Sequence, residues 1–234
     1  MQFGGRFHTP RVAAALITLV LLSYLLGSIP TGFLVAKAKG VDIRSVGSGN
    51  IGATNVFRIL GKGPGIFVLT ADAVKGAVAV VVVAAFFEDF WQNNFPWDQS
   101  ALHASHKHLR ELAGICAILG HNYTCWLKFK GGKGIATTAG VFAALAPAAF
   151  GIALATWLVV FAASRYVSLA SIVAAVALPL AVWLTGNGGL LLGVSAALGA
   201  LAIYKHKANI ERLLAGTENR IGTKKAEPLE EKNP

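Results

Sequence analysis

The chain has 234 residues, of which 55% are hydrophobic and 14% are charged. Soluble domains carry about a quarter charged residues, so this composition excludes an ordinary soluble enzyme and indicates a polytopic membrane protein. The formal net charge of +10 would suit a nucleic-acid binder, but the lysines and arginines lie at the ends of apolar runs and form no stripe with interleaved aromatics. We expect no nucleic-acid partner and attribute the charge to membrane topology.

Apolar runs long enough to cross a bilayer, about 20 residues each, occur along the whole chain. The first run is longer than the hydrophobic region of a signal peptide, so we expect an uncleaved span. The stretch 135–164 is too long for one span and carries Pro147 at its middle, which predicts two shorter helices hinged there. The seven predicted spans are 12–37, 64–87, 110–128, two within 135–164, 167–185 and 189–204.

Lysines and arginines alternate between the loops in a way that predicts the orientation, because cytoplasmic loops collect these residues. The expected fold is an all-α polytopic membrane protein of seven transmembrane helices, with the N-terminus outside and the C-terminus cytoplasmic. The segment 88–110, which contains Glu88 and Asp89, then lies outside. We predict one integral membrane domain over 1–221, and a polar, disordered tail over 222–234 because that tail is rich in Lys, Glu and Pro.

Two Gly-rich segments with basic residues in or beside them lie between apolar runs, at 45–55 and 129–137. Neither is a soluble nucleotide motif, because no strand precedes the first and the second lacks the full Walker A pattern. Irregular backbone at membrane depth is tolerated only where protein or a wet cavity satisfies its polar groups. Glycines let backbone N–H groups converge on an oxyanion and a lysine adds charge, so phosphate or an acyl oxyanion is the expected ligand. Alternatively, the glycines serve only helix packing and the cations only topology.

Further polar residues interrupt the apolar pattern. His206 and Asn209 are three apart and share a helix face that can fold back toward the two Gly-rich segments. Asp72 and Lys75 are costly to bury separately, so we predict a supporting ion pair. The two cysteines show no metal-binding spacing, and we expect neither a metal nor another cofactor.

The segments 47–55, 129–134 and 206–210, in this order and spacing, resemble the three motifs of the bacterial acyl-phosphate:glycerol-3-phosphate acyltransferase family. The resemblance covers about residues 20–220. It implies catalytic roles for Ser48, Arg58, Lys133, His206 and Asn209. It implies substrate or phosphate binding by Gly47, Gly49, Asn50, Thr54, Asn55, Lys130, Gly131, Gly132, Gly134 and Thr137. Structural support is expected from Asp72, Lys75 and Glu218.

The resemblance also implies an activity at the cytoplasmic side of the bacterial inner membrane. The family transfers a fatty acyl group from acyl phosphate to the 1-hydroxyl of glycerol 3-phosphate, which yields lysophosphatidic acid and phosphate and begins phospholipid synthesis. Expected partners are these two substrates, membrane lipid and, functionally, an enzyme that produces acyl phosphate. Because acyl phosphate is already activated, we favour Ser48 as a hydrogen-bond donor over Ser48 as a nucleophile with His206 as base.

Two other functions remain open from the residues alone. Basic Gly-rich loops facing one side also suit a transporter of an anionic phosphorylated metabolite, although the chain contains no repeated halves. An intramembrane hydrolase using Ser48 and His206 is the second alternative. Ser48 lacks the G-x-S-x-G context of such enzymes, since Val46 and Asn50 occupy the glycine positions.

Overall fold

The computed structural model describes residues 9–94 and 99–222. Within these ranges every regular element is helical. The α-helices are α1 Thr9–Ser28, α2 Thr31–Ala38, α3 Ala53–Leu60, α4 Lys62–Val78, α5 Ala84–Asn94, α6 Gln99–Asn122, α7 Ile135–Leu145, α8 Pro147–Ser164, α9 Val167–Leu184, α10 Leu190–Lys205 and α11 Lys207–Leu214. Apart from Gly222, the predicted tail lies outside the described residues.

The first apolar run forms two helices instead of the single predicted one. Helix α1 ends at Ser28 and α2 begins at Thr31, with Ile29 and Pro30 between them. Proline lacks an N–H group and disfavours a helical conformation in the residue before it, which breaks the run at this point. The carbonyl of Ile29 accepts the N–H of Thr31 at 3.0 Å and a second hydrogen bond of 2.9 Å from Lys75 Nζ.

The predicted outer segment 88–110 is helical at both of its ends. A π-helical turn, Ala79–Val83, joins α4 to α5, and α5 continues to Asn94. Helix α6 starts at Gln99 and ends at Asn122, earlier at both ends than the predicted span 110–128. Arg110 fixes the two helices together, since its Nε and Nη2 donate to the two carboxylate oxygens of Glu88 at 2.7 and 2.9 Å.

The remaining spans follow the sequence prediction closely. Helices α7 and α8 flank Ala146, whose φ of −147° and ψ of 72° interrupt the helix just before Pro147. The hinge predicted within 135–164 is therefore confirmed. Helices α9 and α10 fall within one residue of the predicted bounds.

Four helical segments of the described chain are long and apolar enough to cross a membrane. Two shorter helices, α7 and α10, are also apolar. Helix α6, which would complete the predicted seven spans, has a more polar first half. The all-helical, membrane-spanning architecture thus holds, and the number seven and the orientation stay predictions. The four segments are Ala13–Ala38, Lys62–Asp89, Pro147–Ser164 and Val167–Leu184.

Small residues bring the helices into close contact. A Cβ at Gly27 of α1 would overlap the carbonyl of Ala117 in α6, and one at Gly140 of α7 would overlap the carbonyl of Ala73 in α4. Packing of this kind is typical of membrane helices, whose association is not driven by the hydrophobic effect. It aligns the ends of α6, α7 and α10 at one end of the bundle, together with the short helices α2, α3 and α11.

A buried ion pair stabilises the same region. Asp72 Oδ1 and Lys75 Nζ are 2.8 Å apart, and both side chains are almost fully buried. Thr31 Oγ1 donates to Asp72 Oδ1 at 3.1 Å. The pair therefore links α4 to the break between α1 and α2, which is the geometry expected for the predicted support.

The orientation can be tested by cysteine labelling. In a variant lacking Cys116 and Cys125, we expect Gln92→Cys to react with a membrane-impermeant maleimide only from outside, because the basic loops retain the opposite end in the cytoplasm. Lys39→Cys is the control and should react only from the cytoplasmic side. Both residues are exposed. Labelling of Gln92→Cys from the cytoplasmic side would contradict the predicted topology.

Candidate active site

Asn55 holds the first Gly-rich segment in shape. Its buried side chain donates through Nδ2 to the carbonyls of Ile43 and Val46 at 3.2 and 3.1 Å. Its Oδ1 accepts the backbone N–H of Ser48 at 3.0 Å. Gly47 lies at φ +61°, where a Cβ would also collide with Asn55 Oδ1, so the turn requires glycine. Asn55 thereby fixes the loop, and both hydrogens of its amide are already used.

The same loop contains the exposed residue Ser48 and leads into helix α3. The side chain of Ser48 is exposed, and its hydroxyl makes no hydrogen bond with any described residue. Asn50 Oδ1 accepts the N–H of Gly52 at 2.8 Å, and α3 begins at the next residue. Thr54 and Arg58, four residues apart on α3, then face the same cavity.

Arg58 carries a charge without a partner. Its side chain is half-buried, and its guanidinium forms no hydrogen bond or ion pair within the described residues. Glu218 is close enough to raise the pKa of Arg58, although burial lowers it more. The arginine remains protonated at any physiological pH, so it adds an uncompensated positive charge to the cavity.

The second Gly-rich segment packs on the end of α6. The N–H groups of Gly131 and Gly132 donate to the carbonyls of Asn122 and His121 at 3.2 and 3.0 Å. A Cβ at Gly131 would overlap the His121 carbonyl, and one at Gly132 would overlap the His121 imidazole. These two amides are therefore engaged in the fold, and phosphate binding at Gly131 and Gly132 stays a prediction.

The N-terminus of α7 offers better-placed donors. Gly134, Ile135 and Ala136 line the cavity, and the N–H groups of Ile135 and Ala136 have no backbone acceptor in the described chain. Free N–H groups and the positive end of the helix dipole attract anions at such a terminus. These free donors thus follow directly after Gly134, the last of the predicted glycines.

A chain of hydrogen bonds orients Lys133. Lys133 Nζ donates to Asn209 Oδ1, and Asn209 Nδ2 donates to Glu218 Oε1 at 2.9 Å. Glu218 also accepts from Ser168 Oγ at 3.1 Å and, through Oε2, from Arg212 Nε at 2.7 Å. Glu218 is buried and holds the Asn209 amide in one orientation. Lys133 consequently contacts a neutral amide and has no carboxylate partner within residues 9–94 and 99–222.

The environment of Lys133 favours loss of its proton. Burial, together with the charges of Arg212 and Arg58, lowers the pKa of Lys133 to about 8, against the opposing effect of Glu218. An anion bound between Lys133 and Arg58 would reverse this effect, because an opposite charge favours the protonated amine. The site is therefore electrostatically complementary to an anion.

His206 presents one ring nitrogen to the cavity. Its Nδ1 lies 2.7 Å from the carbonyl oxygen of Ala202, and since a carbonyl only accepts, Nδ1 carries the hydrogen. Burial and the charge of Lys133 together lower the pKa of His206 to about 4, against the opposing effects of the Ala202 hydrogen bond and Glu218. The imidazole is neutral near pH 7, and Nε2 is left as a hydrogen-bond acceptor.

Ser48, Arg58, Lys133 and His206 line one cavity of about 600 Å³ with two chemically different ends. The polar end is formed by α3, the start of α7 and the segment from His206 to Glu218. The other end is apolar and lies among α7, α8, α9 and α10. Its wall includes Phe142, Phe150, Trp157, Phe161 and Leu178.

Comparison with known proteins identifies the family. The family profile described as "Glycerol-3-phosphate acyltransferase" matches residues 17–216. The chain belongs to this family. It is 47% identical over 207 residues to the glycerol-3-phosphate acyltransferase of Geotalea daltonii, covering 87% of this chain and 96% of the relative. The corresponding protein of Aquifex aeolicus is 43% identical, with 87% and 97% covered.

Two solved structures are similar over nearly the same region. The crystal structure of PlsY (YgiH), an integral membrane glycerol 3-phosphate acyltransferase, in its glycerol 3-phosphate form has a TM-score of 0.76 and 42% identity, and the match covers 89% of this chain and 96% of that one. Its lysophosphatidic acid form has a TM-score of 0.73 and 41% identity, with the same coverage. The chain is accordingly a multi-pass membrane protein with an acyltransferase fold.

The cavity brings together many of the residues that the family resemblance had suggested. Gly47, Gly49, Lys130 and Thr137 do not line it, nor do Gly131, Gly132 and Lys75. Asn55 lines it, but its amide supports the loop. The suggested residues that line it are Ser48, Asn50, Thr54, Asn55, Arg58, Asp72, Lys133, Gly134, His206, Asn209 and Glu218. Their roles in binding and catalysis stay predictions.

The apolar wall was missed in the sequence. Trp157 is held by its Nε1, which donates to Ser171 Oγ at 3.1 Å, and it stacks on Phe161 with ring centroids 4.9 Å apart. Lipid-facing and cavity-facing apolar residues have the same composition, so periodicity could not separate them. The available signals were Ser168 and Ser171, two polar residues within an apolar helix.

Thermal unfolding can distinguish a packing glycine from a ligand-binding one. We expect Gly131→Ala to lower the free energy of unfolding by about 1–3 kcal/mol in the absence of any ligand, because its methyl group would meet the His121 carbonyl. Gly63→Ala is the control, since a Cβ there meets nothing within 4 Å. An unchanged midpoint for Gly131→Ala, measured in detergent, would show that the glycine is not required for packing.

Proposed function

We propose that the protein transfers a fatty acyl group from acyl phosphate to the 1-hydroxyl of glycerol 3-phosphate at the cytoplasmic face of the inner membrane. The products would be lysophosphatidic acid and inorganic phosphate. Family membership supports acylation of glycerol 3-phosphate. The observation that carries the proposal is a single cavity with two unpaired cations, Arg58 and Lys133, at one end and aromatic walls at the other.

The polar end suits the phosphate groups of both substrates. Arg58 offers a planar fork of donors and Lys133 a point charge. Ser48 adds a free hydroxyl, and the N-terminus of α7 adds backbone N–H groups. Charge-assisted hydrogen bonds of this kind are worth about 1.5–3 kcal/mol each, so together they can offset the desolvation of a phosphate dianion.

The apolar end suits the fatty chain of the donor. Ile66 and Leu69 of α4 and Leu154 of α8 line the cavity and are also exposed on the outer surface of the bundle. In a bilayer that surface faces lipid. The opening between α4 and α8 would let an acyl chain enter from the membrane and let the product leave by the same route.

The reaction requires no covalent enzyme intermediate. The glycerol hydroxyl oxygen attacks the acyl carbonyl carbon, and the bond from that carbon to the phosphate oxygen breaks, so that phosphate leaves with the electron pair. Ser48 and Lys133 would stabilise the tetrahedral oxyanion and the departing phosphate. Positioning two bound anions together supplies much of the remaining acceleration.

The hydroxyl proton is best accepted by the substrate itself. His206, with a pKa of about 4, is a weaker base than a phosphate monoester, whose second pKa is about 6. We assign to His206 Nε2 the hydrogen bond that orients the hydroxyl, and to the phosphate oxygen of glycerol 3-phosphate the proton. Asn209 and Glu218 then act by orienting Lys133.

Phosphate release tests the proposed activity. Purified protein should release phosphate from acyl phosphate only when glycerol 3-phosphate is also present. Lys133→Met should reduce kcat/KM by about tenfold or more, because it removes one charge-assisted contact to phosphate. Lys62→Met is the matched control, since Lys62 is exposed and does not line the cavity.

Two outcomes would contradict the activity or the assignment. Flux of glycerol 3-phosphate across proteoliposomes without phosphate release would favour the transporter alternative. Normal kinetics of folded Lys133→Met would remove Lys133 from the site.

The absence of an acyl-serine is a separate prediction. No base lies within hydrogen-bond reach of the Ser48 hydroxyl among the described residues. We therefore expect acyl phosphate to leave no adduct on the intact protein in mass spectrometry, even without acceptor. Ser48→Ala should lower kcat by about tenfold or more through a lost hydrogen bond in the transition state.

An acyl-enzyme mechanism gives the opposite result. A hydroxylamine-sensitive adduct that disappears in Ser48→Ala would establish Ser48 as a nucleophile, with His206 as its general base.

A further inference from the structure

The loop at 125–130 follows α6 and includes the first two residues of the second Gly-rich segment. It displays apolar and basic side chains together. Trp126 and Phe129 are 64% and 61% exposed. Lys128 and Lys130, which alternate with them, are exposed as well. We call these four residues the aromatic–basic surface. None of them lines the cavity.

This display is built into the backbone. Lys128 and Phe129 have φ values of 52° and 60°, a left-handed backbone conformation that residues other than glycine rarely adopt. Strain of this kind persists only where surrounding contacts enforce it. The N–H of Phe129 donates to the Thr124 carbonyl at 2.9 Å, and the N–H of Lys130 donates to the Leu127 carbonyl at 3.0 Å.

The loop is also fastened to the bundle on its inner side. Leu127 is buried in a cluster with residues of α2, α3 and α4. Thr124 Oγ1 donates to the carbonyl of Ser28, at the end of α1, at 2.6 Å. One residue of the loop therefore fixes it to the core, while its neighbours are held outward in a defined arrangement.

We infer that the aromatic–basic surface docks into the headgroup layer of the bilayer and selects anionic lipids. The loop follows the last residue of α6, so it lies where the apolar bundle ends and the headgroups begin. Tryptophan and other aromatic residues concentrate at this depth, where their apolar rings contact the upper chains. Lysines beside them attract anionic headgroups.

The inference does not depend on the proposed activity, although the two are adjacent. Gly131, Gly132 and Lys133 continue directly from the surface, and the first two are hydrogen-bonded to the end of α6. A loop fixed in the headgroup layer would set the depth of Lys133 relative to the membrane surface. A soluble protein partner would require the same residues to face water.

Site-directed fluorescence separates these arrangements. In the full chain lacking Cys116 and Cys125, Phe129→Cys is labelled with bimane and placed in nanodiscs of phosphatidylcholine with or without phosphatidylglycerol. We expect strong quenching by lipids with a doxyl group near the headgroup and weak quenching by aqueous iodide. Asn219→Cys, an exposed position outside this surface, is the control and should show the reverse.

The lysines are tested in the same samples. Doxyl-labelled phosphatidylglycerol should quench the bimane more than doxyl-labelled phosphatidylcholine at equal mole fraction, and Lys128→Gln/Lys130→Gln should abolish the difference. Each lysine is worth a factor of about five in affinity for an anionic surface. Trp126→Cys repeats the measurement in case Phe129→Cys does not fold.

Either of two results would overturn the inference. Iodide quenching at position 129 as strong as at 219 would show that the surface faces water, as a soluble partner requires. Equal quenching by the two lipids in the unmodified lysine background would exclude selection of anionic headgroups. Neither readout uses acyl transfer, so failure of the proposed activity would be recognised separately.

Discussion

The carboxylate of Glu218 accepts hydrogen bonds from Ser168, Asn209 and Arg212, and the polar end of the cavity depends on this. A buried carboxylate beside Lys133 and Arg58 would ordinarily neutralise one of them. Here its oxygens accept hydrogen bonds from other donors. Glu218 therefore stabilises the charges of Lys133 and Arg58 without forming an ion pair with either. The ligand must then supply the missing negative charge. Because an unpaired buried charge is costly, the cavity is electrostatically complementary to an anion.

At the same end of the bundle, lysines add hydrogen bonds to backbone carbonyl groups where helices stop. Lys75 Nζ donates to the Ile29 carbonyl, and Lys205 Nζ donates to the Asn122 carbonyl at 3.0 Å. Cations at a helix C-terminus also interact favourably with its dipole. Lys75 and Lys205 therefore bind backbone carbonyls. Lys133 differs from them because its hydrogen bond goes to the side-chain amide of Asn209.

The sequence was a good guide where a single local rule decides the outcome. Pro147 predicted its hinge correctly. His206 and Asn209 both line the cavity, but His206 lies in the break between α10 and α11 and not on one helix with Asn209, as their spacing had predicted. The sequence failed where two local signals compete. Pro30 broke a run whose hydropathy is continuous, and the polar segment after Glu88 stayed helical because helices tolerate polar residues beyond the membrane. Hydropathy reports burial in lipid or protein, not the end of a helix.

The glycines show why the site could be located but not resolved from the sequence. Gly47 is required by a left-handed turn, whereas Gly131 and Gly132 are required by contact with α6. A phosphate cradle would demand glycine at the same positions for a third reason. Composition cannot distinguish these demands, since each excludes a Cβ. The hydrogen-bond acceptor of each N–H group does distinguish them, and at Gly131 and Gly132 this acceptor is a carbonyl of α6. That packing places the following residues, Lys133 to Ala136, so that a lysine and the start of a helix face the cavity together.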